Sequence, residues 1–348
     1  MNSIVKKVSN FINKRAYLKY LLKKSVWYII TFIFAVTLNF VLPRLIEGDP
    51  VSRLIAKMTA GTGSDDFKAI RDNFAKEFGL DKPIIIQYFI YWKNLFSGNL
   101  GTSFSMYPRE VSNILSSAVP WSVALMLPAV IIGWLIGNIL GAISAYIKGI
   151  FDRILLPISL IFSSAPFYAF SIIFLYIFAL KLKWFPTGGG YSITMLPNFS
   201  FDFVVSLIQH YTLPFLSIVV VTIGGQAIGM REMSIYELNS DYVLYSKLSG
   251  IKDRKIVRYV FKNAMLPQIT GLALSLGTIV GGSLITEIVF NYPGIGTTIF
   301  TAIRNFDYPL ISGSTLLITI FVLLANFSID LIYAFIDPRI KSAQMEEV

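Results

Sequence analysis

The chain has 348 residues, 55% of them hydrophobic, and a mean hydropathy of +0.65. Only 14% of residues are charged, against roughly 25% in soluble domains, so the composition points to a membrane protein. The net charge of +10 sits mostly in short segments between apolar runs, which excludes nucleic acid as a partner, and the lack of Cys with a single His (His210) excludes disulfides, thiolate metal sites and Cys nucleophiles.

Residues 1–24 carry seven basic residues and no acid, with Val5, Val8, Ile12 and Leu18 interleaved. They read as a cytosolic basic flank or as an amphipathic helix lying on the membrane. Residues 25–43 hold no charged residue, and 19 residues at 1.5 Å each come close to crossing a ~30 Å core. This is the first span, in a segment 25–46, and it is too long for a cleavable signal. Residues 47–117 are polar and read as an extracytoplasmic cap. In the cap, Ser64 or Asp65 starts a helix striped by Phe67, Ile70, Phe74 and Phe78 and stopped by Gly79. The run PIIIQYFIYWKNLF, 83–96, suits an aromatic helix at the membrane–water interface.

A membrane core of five further spans is expected over 118–336. Val111–Ile147 holds no charge, and span 2 lies at 119–147. Gly133, Gly137 and Gly141 recur there every fourth residue, which puts small residues on one face and lets another helix come close. After a short inside turn at 148–153, span 3 covers 154–180, kinked at Pro157 and Pro166. Residues 181–202, with WFPTGGGY at 184–191, lie outside as a flexible loop. Span 4 lies within 203–230 and starts near Pro214. Residues 231–266 form a large cytosolic loop. Span 5 covers 263–286, NYPGIG and a short helix form an outside turn at 291–307, and span 6 covers 308–329. The tail, 337–348, is inside. Lys and Arg number 16 in the short inside segments and 3 in the short outside ones. That asymmetry places both termini in the cytosol and requires an even number of spans, here six.

Little in the chain supports catalysis. There is no GxxxxGK[ST] phosphate loop, no HExxH and no His–carboxylate cluster. His210, at the end of a span, reads as structural. Glu287 and Asp330 lie near the ends of spans 5 and 6; an acid there is either functional or an interface-level residue bonded to backbone amides. Glu287, just before NYPGIG, is a candidate for shaping the outer mouth of a pathway, together with Gly281 and Gly282.

The most charged stretch between spans is 241–267, DYVLYSKLSGIKDRKIVRYVFKNAMLP. Asp241 caps a short helix with Leu244, Tyr245 and Leu248 on one face, and Gly250 stops it. Asp253 caps a second helix, with Ile256, Val260 and Ala264 on one stripe and Arg254, Arg258 and Lys262 on another. Pro267 sets the first turn of span 5. A basic stripe beside an apolar one docks equally well onto anionic lipid or into a groove of a cytosolic protein.

The motifs decide between the two. Asp241-Tyr242-Val243, Ser246 and Gly250 are followed by Lys262-Asn263-Ala264-Met265-Leu266-Pro267. Gly281-Gly282, Glu287, Phe290, Pro293-Gly294-Ile295-Gly296 and Asp337-Pro338-Arg339 come next in order. Upstream stand Gly48-Asp49-Pro50, FGLDKP at 78–83, GNLGTSF at 98–104 and WFPTGGGY. This series resembles the permeases of ABC importers, in the oligopeptide/dipeptide branch. Leu244, Tyr245 and Ser246 stand where the wider superfamily has Glu-Ala-Ala, and Tyr259 where the branch often has His. The resemblance implies an all-α type I importer permease fold with 118–336 as permease core and 231–266 as coupling loop. Asp241, Tyr242, Leu244, Tyr245, Ser246, Leu248, Gly250, Arg254 and Arg258 would meet an ATPase. It implies no enzyme activity and no cofactor on this chain, ATP and Mg being held by partners. Those partners would be a sibling permease forming a heterodimer, two cytosolic nucleotide-binding subunits, an extracytoplasmic substrate-binding protein and membrane lipid. The expected place is a prokaryotic plasma membrane, and the cargo peptides, with oligosaccharides as the alternative. A secondary transporter or channel would need intramembrane charge networks or inverted repeats, and a membrane enzyme a nucleophile–base pair; neither is found in the sequence.

Overall fold

A computed structural model of the chain describes residues 22, 24–41, 44, 82–147, 149–198, 200–282 and 284–336, without the side chains of 270, 273–282 and 329–336. Nearly all of the basic N-terminal segment, the helix expected over 65–79, Gly48-Asp49-Pro50, most of FGLDKP, Asp337-Pro338-Arg339 and the tail lie outside the described residues.

The described residues are helical apart from loops and one isolated bridge between Thr102 and Glu110. The helices are α1 (Lys24–Val41), α2 (Ile84–Phe96), α3 (Val111–Ile147), α4 (Gly149–Ser164) and α5 (Phe167–Phe174), the last running into a π-helical turn, Leu175–Lys181. Then come α6 (Phe201–Leu238), α7 (Asp241–Leu248), α8 (Asp253–Gly282), α9 (Leu284–Val289), α10 (Ile295–Arg304) and α11 (Tyr308–Ile336).

Among the described residues, four helices are long and apolar enough to cross a membrane: α1, α3, α6 and α11. The pair of α4 and α5 with its π turn, bent by 99° at Pro166, makes a fifth if it is one span. Pro166 breaks the helix because its ring cannot donate and clashes with the preceding turn, whereas Pro157 is carried inside α4. The remaining expected span falls in α8, whose apolar half is diluted by Gly, Ser, Thr and Gln.

Helix ends depart from the sequence reading. α6 starts at Phe201, where Ser200 Oγ accepts from the Phe203 N–H at 3.3 Å, and Pro214 lies inside it. α8 starts at Asp253, so Pro267 sits in its interior and not in its first turn. Ser240, not Asp241, is the N-cap residue of α7, and its hydroxyl donates back to the Glu237 carbonyl at 2.5 Å. The segment expected as a large loop is therefore the end of α6, the short α7 and the start of α8.

The chain divides into two compact units. The first comprises residues up to Ile114 and from Ala302 onward. In it α1 and α11 run antiparallel: Tyr28 meets Phe327 edge-on at 5.4 Å, and Asn39 donates to the Ser312 carbonyl at 2.8 Å. The GNLGTSF loop turns at Gly98 and Gly101, both at positive φ (+73° and +85°), and folds against the start of α11. There the buried Asp307 carboxylate accepts from Ser103 Oγ (2.5 Å), Ser105 N (2.9 Å), Ser105 Oγ (2.7 Å) and Leu310 N (3.2 Å). One acid thus staples a loop and caps a helix.

The second unit, 115–301, is built around α6, against which α4, α5, α8 and α9 pack. The glycine stripe of α3 lies on α6 as well. A Cβ at Gly133 would stand 2.6 Å from Thr222 Cβ, one at Gly137 2.8 Å from the Ile223 carbonyl oxygen, and one at Gly141 2.3 Å from that of Ala227. Asp152 in the first turn of α4 takes a bidentate pair from Arg231 of α6 (2.5 and 2.8 Å) and a hydrogen bond from Ser144 of α3.

Candidate functional site

The end of α6, α7 and the start of α8 form a hinge with a buried base and an exposed face. Val243, Ile256 and Val260 are buried together, with Leu238, Tyr242 and Ile251 packed against them. Alternation of 3.6 residues per turn then turns Leu244, Tyr245 and Leu248 away from that base, and they are 57%, 69% and 75% exposed. Together they form an exposed apolar patch on a short polar-flanked helix. Arg254 and Arg258 are exposed on the first turns of α8. Gly250 connects the helices at φ +72°, with its N–H donating to the Lys247 carbonyl at 3.0 Å.

Glu237 ties the three helices together. Its Oε2 accepts from the Tyr242 hydroxyl at 2.7 Å and from Asn263 Nδ2 at 3.4 Å. Burial first, and then this bond to Glu237, raise the Tyr242 pKa, so the phenol stays protonated and keeps donating. Tyr242 is half-buried and holds α7 in place; Asp241 is exposed and Ser246 intermediate. Glu237 was missed in the sequence. Its signal is a lone acid just ahead of DYV, spaced to reach the Asn of the KNAMLP motif.

A second constellation surrounds Glu287, which is buried in α9. Its Oε2 accepts from the Gly296 N–H at 2.7 Å, and Ser122 Oγ of α3 accepts from the Ile295 N–H at 2.9 Å. Both amides are free donors in the first turn of α10. A Cβ at Gly294 would stand 2.3 Å from Glu287 Oε2, and one at Gly296 2.7 Å from Leu284 Cα. The two glycines of Pro293-Gly294-Ile295-Gly296 are thus required by close approach to this carboxylate and to α9.

WFPTGGGY packs on the same turn. Gly189 N–H donates to the Phe290 carbonyl at 2.8 Å, and a Cβ at Gly188 would stand 2.4 Å from that oxygen. Gly190 lies under Trp121, whose ring meets Tyr292 edge-on at 5.6 Å. The loop expected to be flexible is thus fastened to NYPGIG, for a reason of tertiary contact. Gly281 and Gly282 end α8, and their surroundings lie outside the described residues. No group of three or more His, Asp or Glu able to hold a metal is present among the described residues.

Residues 137–342 match the family of binding-protein-dependent transport system inner membrane components. The chain belongs to that family. The permease is 36% identical over 309 residues to a provisionally named peptide permease protein of Brucella ovis, covering 87% of this chain and 93% of the relative. It is 30% identical over 343 residues to the dipeptide transport system permease protein of Alkalihalophilus pseudofirmus, covering 93% and 99%. A glutathione transport system permease protein of Pectobacterium atrosepticum is 30% identical over 328 residues, with 93% and 99% covered. The permease is therefore a multi-pass, all-helical membrane subunit of the peptide branch of ABC importers.

Proposed function

We propose that the permease moves peptides across the plasma membrane as one half of a translocation path, driven by ATP hydrolysed on partner subunits. The peptide cargo is supported by relatives whose names specify peptides, dipeptides or glutathione. In this reading α8 and the bent α4–α5 pair are spans, which makes six, both termini are cytosolic, and 47–117 forms an outer cap. A sibling permease lines the other half, a substrate-binding protein delivers cargo from outside, and two nucleotide-binding subunits sit below with their ATP and Mg.

The observation that carries the ATP-driven mechanism is the exposed face Leu244, Tyr245 and Leu248 on a helix whose other side is buried against α8. An ATPase groove receives that face. When the nucleotide-binding subunits close, they push α7, and Glu237 with the Val243–Ile256–Val260 base passes the displacement to α6 and α8. Arg254 and Arg258 complete the docking surface. Glu287, occupied with the backbone of α10, holds the outer turn in shape and is not a ligand for cargo.

Purification of the permease with its neighbours, followed by uptake of labelled peptides into vesicles with and without ATP, tests the proposal. ATP-dependent peptide uptake and a co-purifying ATPase are expected. Uptake that needs no ATPase overturns the mechanism. Calorimetry of the binding protein that takes oligosaccharides and no peptide overturns the cargo.

A further inference from the structure

We infer that α2 is an anchor lying in the outer membrane–water interface, with Ile85, Phe89 and Phe96 set among the lipid acyl chains. The inference rests on α1 being a span with its C-terminal end outside. Three faces of α2 support it. The first packs on the C-terminal half of α1: Gln87 accepts from Arg44 at 3.1 Å, Tyr88 pairs with Thr37 Oγ1 at 2.8 Å, and Tyr88 and Tyr91 flank Phe40 at 5.2 and 5.6 Å. Trp92 meets Phe32 at 6.1 Å. These contacts run from the midpoint of α1, at Phe32, to just past its C-terminal end, at Arg44, and put Tyr88 and Tyr91 near that end, the level at which Tyr and Trp concentrate in membrane proteins.

The second face, at spacings of four and seven residues, carries Ile85, Phe89 and Phe96, which are 69%, 67% and 79% exposed. No residue of the helix is buried, so among the described residues nothing covers this face. It adjoins the exposed apolar side of α1 (Ile30, Ile33, Phe34, Leu38), which a spanning helix presents to lipid. A continuous apolar surface on two packed helices, one of them a span, meets one solvent. The third side carries Asn94 and, just past the helix end, Ser97, beside Ile90 and the exposed Ile86, and Lys82 and Lys93 stand at the two ends of the helix with no charge between them. Lysines flanking an apolar face reach up to lipid phosphates while their stems stay in the apolar layer. An apolar face toward the acyl chains, a side with Asn94 toward water and a lateral face on α1 describe an interfacial helix. It would tie the cap to the bilayer at a fixed height beside α1.

The absence of Cys from this chain makes the test direct. In the full transporter, assembled with cysteine-free partners and placed in vesicles, single variants Ile85→Cys, Phe89→Cys, Phe96→Cys, Asn94→Cys and Phe34→Cys are labelled with bimane. Quenching is read with lipids carrying a shallow nitroxide and with aqueous iodide. At 85, 89 and 96 the shallow nitroxide is expected to quench at least about threefold more than at 94, and iodide correspondingly less, as for side chains ~5–10 Å into the interface. Iodide quenching at 89 and 96 equal to that at 94 overturns the inference and puts the face in water. Protection from both quenchers also overturns it, because a protein partner then covers the face. The label at 34 separates the two readings: iodide quenching there removes the span itself, and protection there leaves the inference about α2 to stand or fall alone. Each of the three lipid-facing sites is exposed, and Phe89 and Phe96 give up ring contacts to Tyr88 (6.0 Å) and Trp92 (5.5 Å) of their own helix, so one that assembles poorly leaves two.

Discussion

Gly250 stands at φ +72°, and a Cβ there would find no atom within 4 Å. Space is therefore not what selects glycine; backbone conformation is, because a left-handed residue with a side chain costs roughly 1–2 kcal/mol. Gly250→Ala is expected to insert and assemble, with uptake reduced by strain of about that size at the hinge. Gly250→Pro is more severe, since proline fixes φ near −65° and removes the N–H that donates to Lys247. Loss of ATP-driven uptake with normal insertion is expected for the proline variant, and normal uptake would refute the hinge. Glu287 is argued differently. Its carboxylate takes an amide that begins α10, so Glu287→Ala removes a cap worth about 1 kcal/mol and should lower the melting temperature of the purified complex. Glu287→Gln retains an acceptor and should fall less. Unchanged uptake and resting leak in Glu287→Gln would rule out a gating role and leave the turn-holding one.

Helix positions separate by what a methyl group would meet. Gly→Ala inside a helix ordinarily gains up to about 1 kcal/mol. At Gly141 the new Cβ would stand 2.3 Å from a backbone oxygen of α6, which cannot swing aside, so overpacking of about 1–3 kcal/mol decides the sign. At Gly225, also helical, nothing lies within 4 Å. Gly141→Ala is expected to destabilise the purified chain and Gly225→Ala to stabilise it, by thermal unfolding in detergent. Equal effects would remove the close approach of α3 and α6. The same elements show what the sequence makes legible. Helices, the Pro166 break, the glycine stripe and the apolar stripe Ile256–Val260–Ala264 follow from local period and residue type. Helix starts at Phe201 and Asp253 do not, because α6 and α8 begin ahead of their apolar runs, α6 on its Ser200 cap and α8 on packing with α7. Nor does the fastening of WFPTGGGY to NYPGIG, since a glycine run reads as loose until the Phe290 carbonyl that needs it is known.

For the whole molecule, the proposed drive by partner ATPases requires a face that is indifferent to folding and indispensable to assembly, and α7 sets a buried and an exposed residue side by side. Val243 is 1% exposed in the hinge base, while Leu244 next to it is 57% exposed. Val243→Asp buries an uncompensated charge and should lower the stability of the permease itself. Leu244→Ser and Leu248→Ser should leave insertion and melting temperature unchanged. Each apolar side chain covered by a partner contributes about 1.5–3 kcal/mol, so each of the two variants should weaken ATPase co-purification by about tenfold or more and lower uptake in step. Arg254 and Arg258 act over a longer range. Reversal of their charge should slow association most at low salt and matter less as the ionic strength rises, because exposed charges are screened over ~10 Å at 0.1 M. The two kinds of variant thus differ in salt response as well as in size. If the apolar and charge variants showed the same salt dependence, α7 would be held by electrostatics alone, as on an anionic bilayer, and not in a protein groove. If only the arginine variants respond to salt, the hydrophobic knob is the docking element and the arginines steer it.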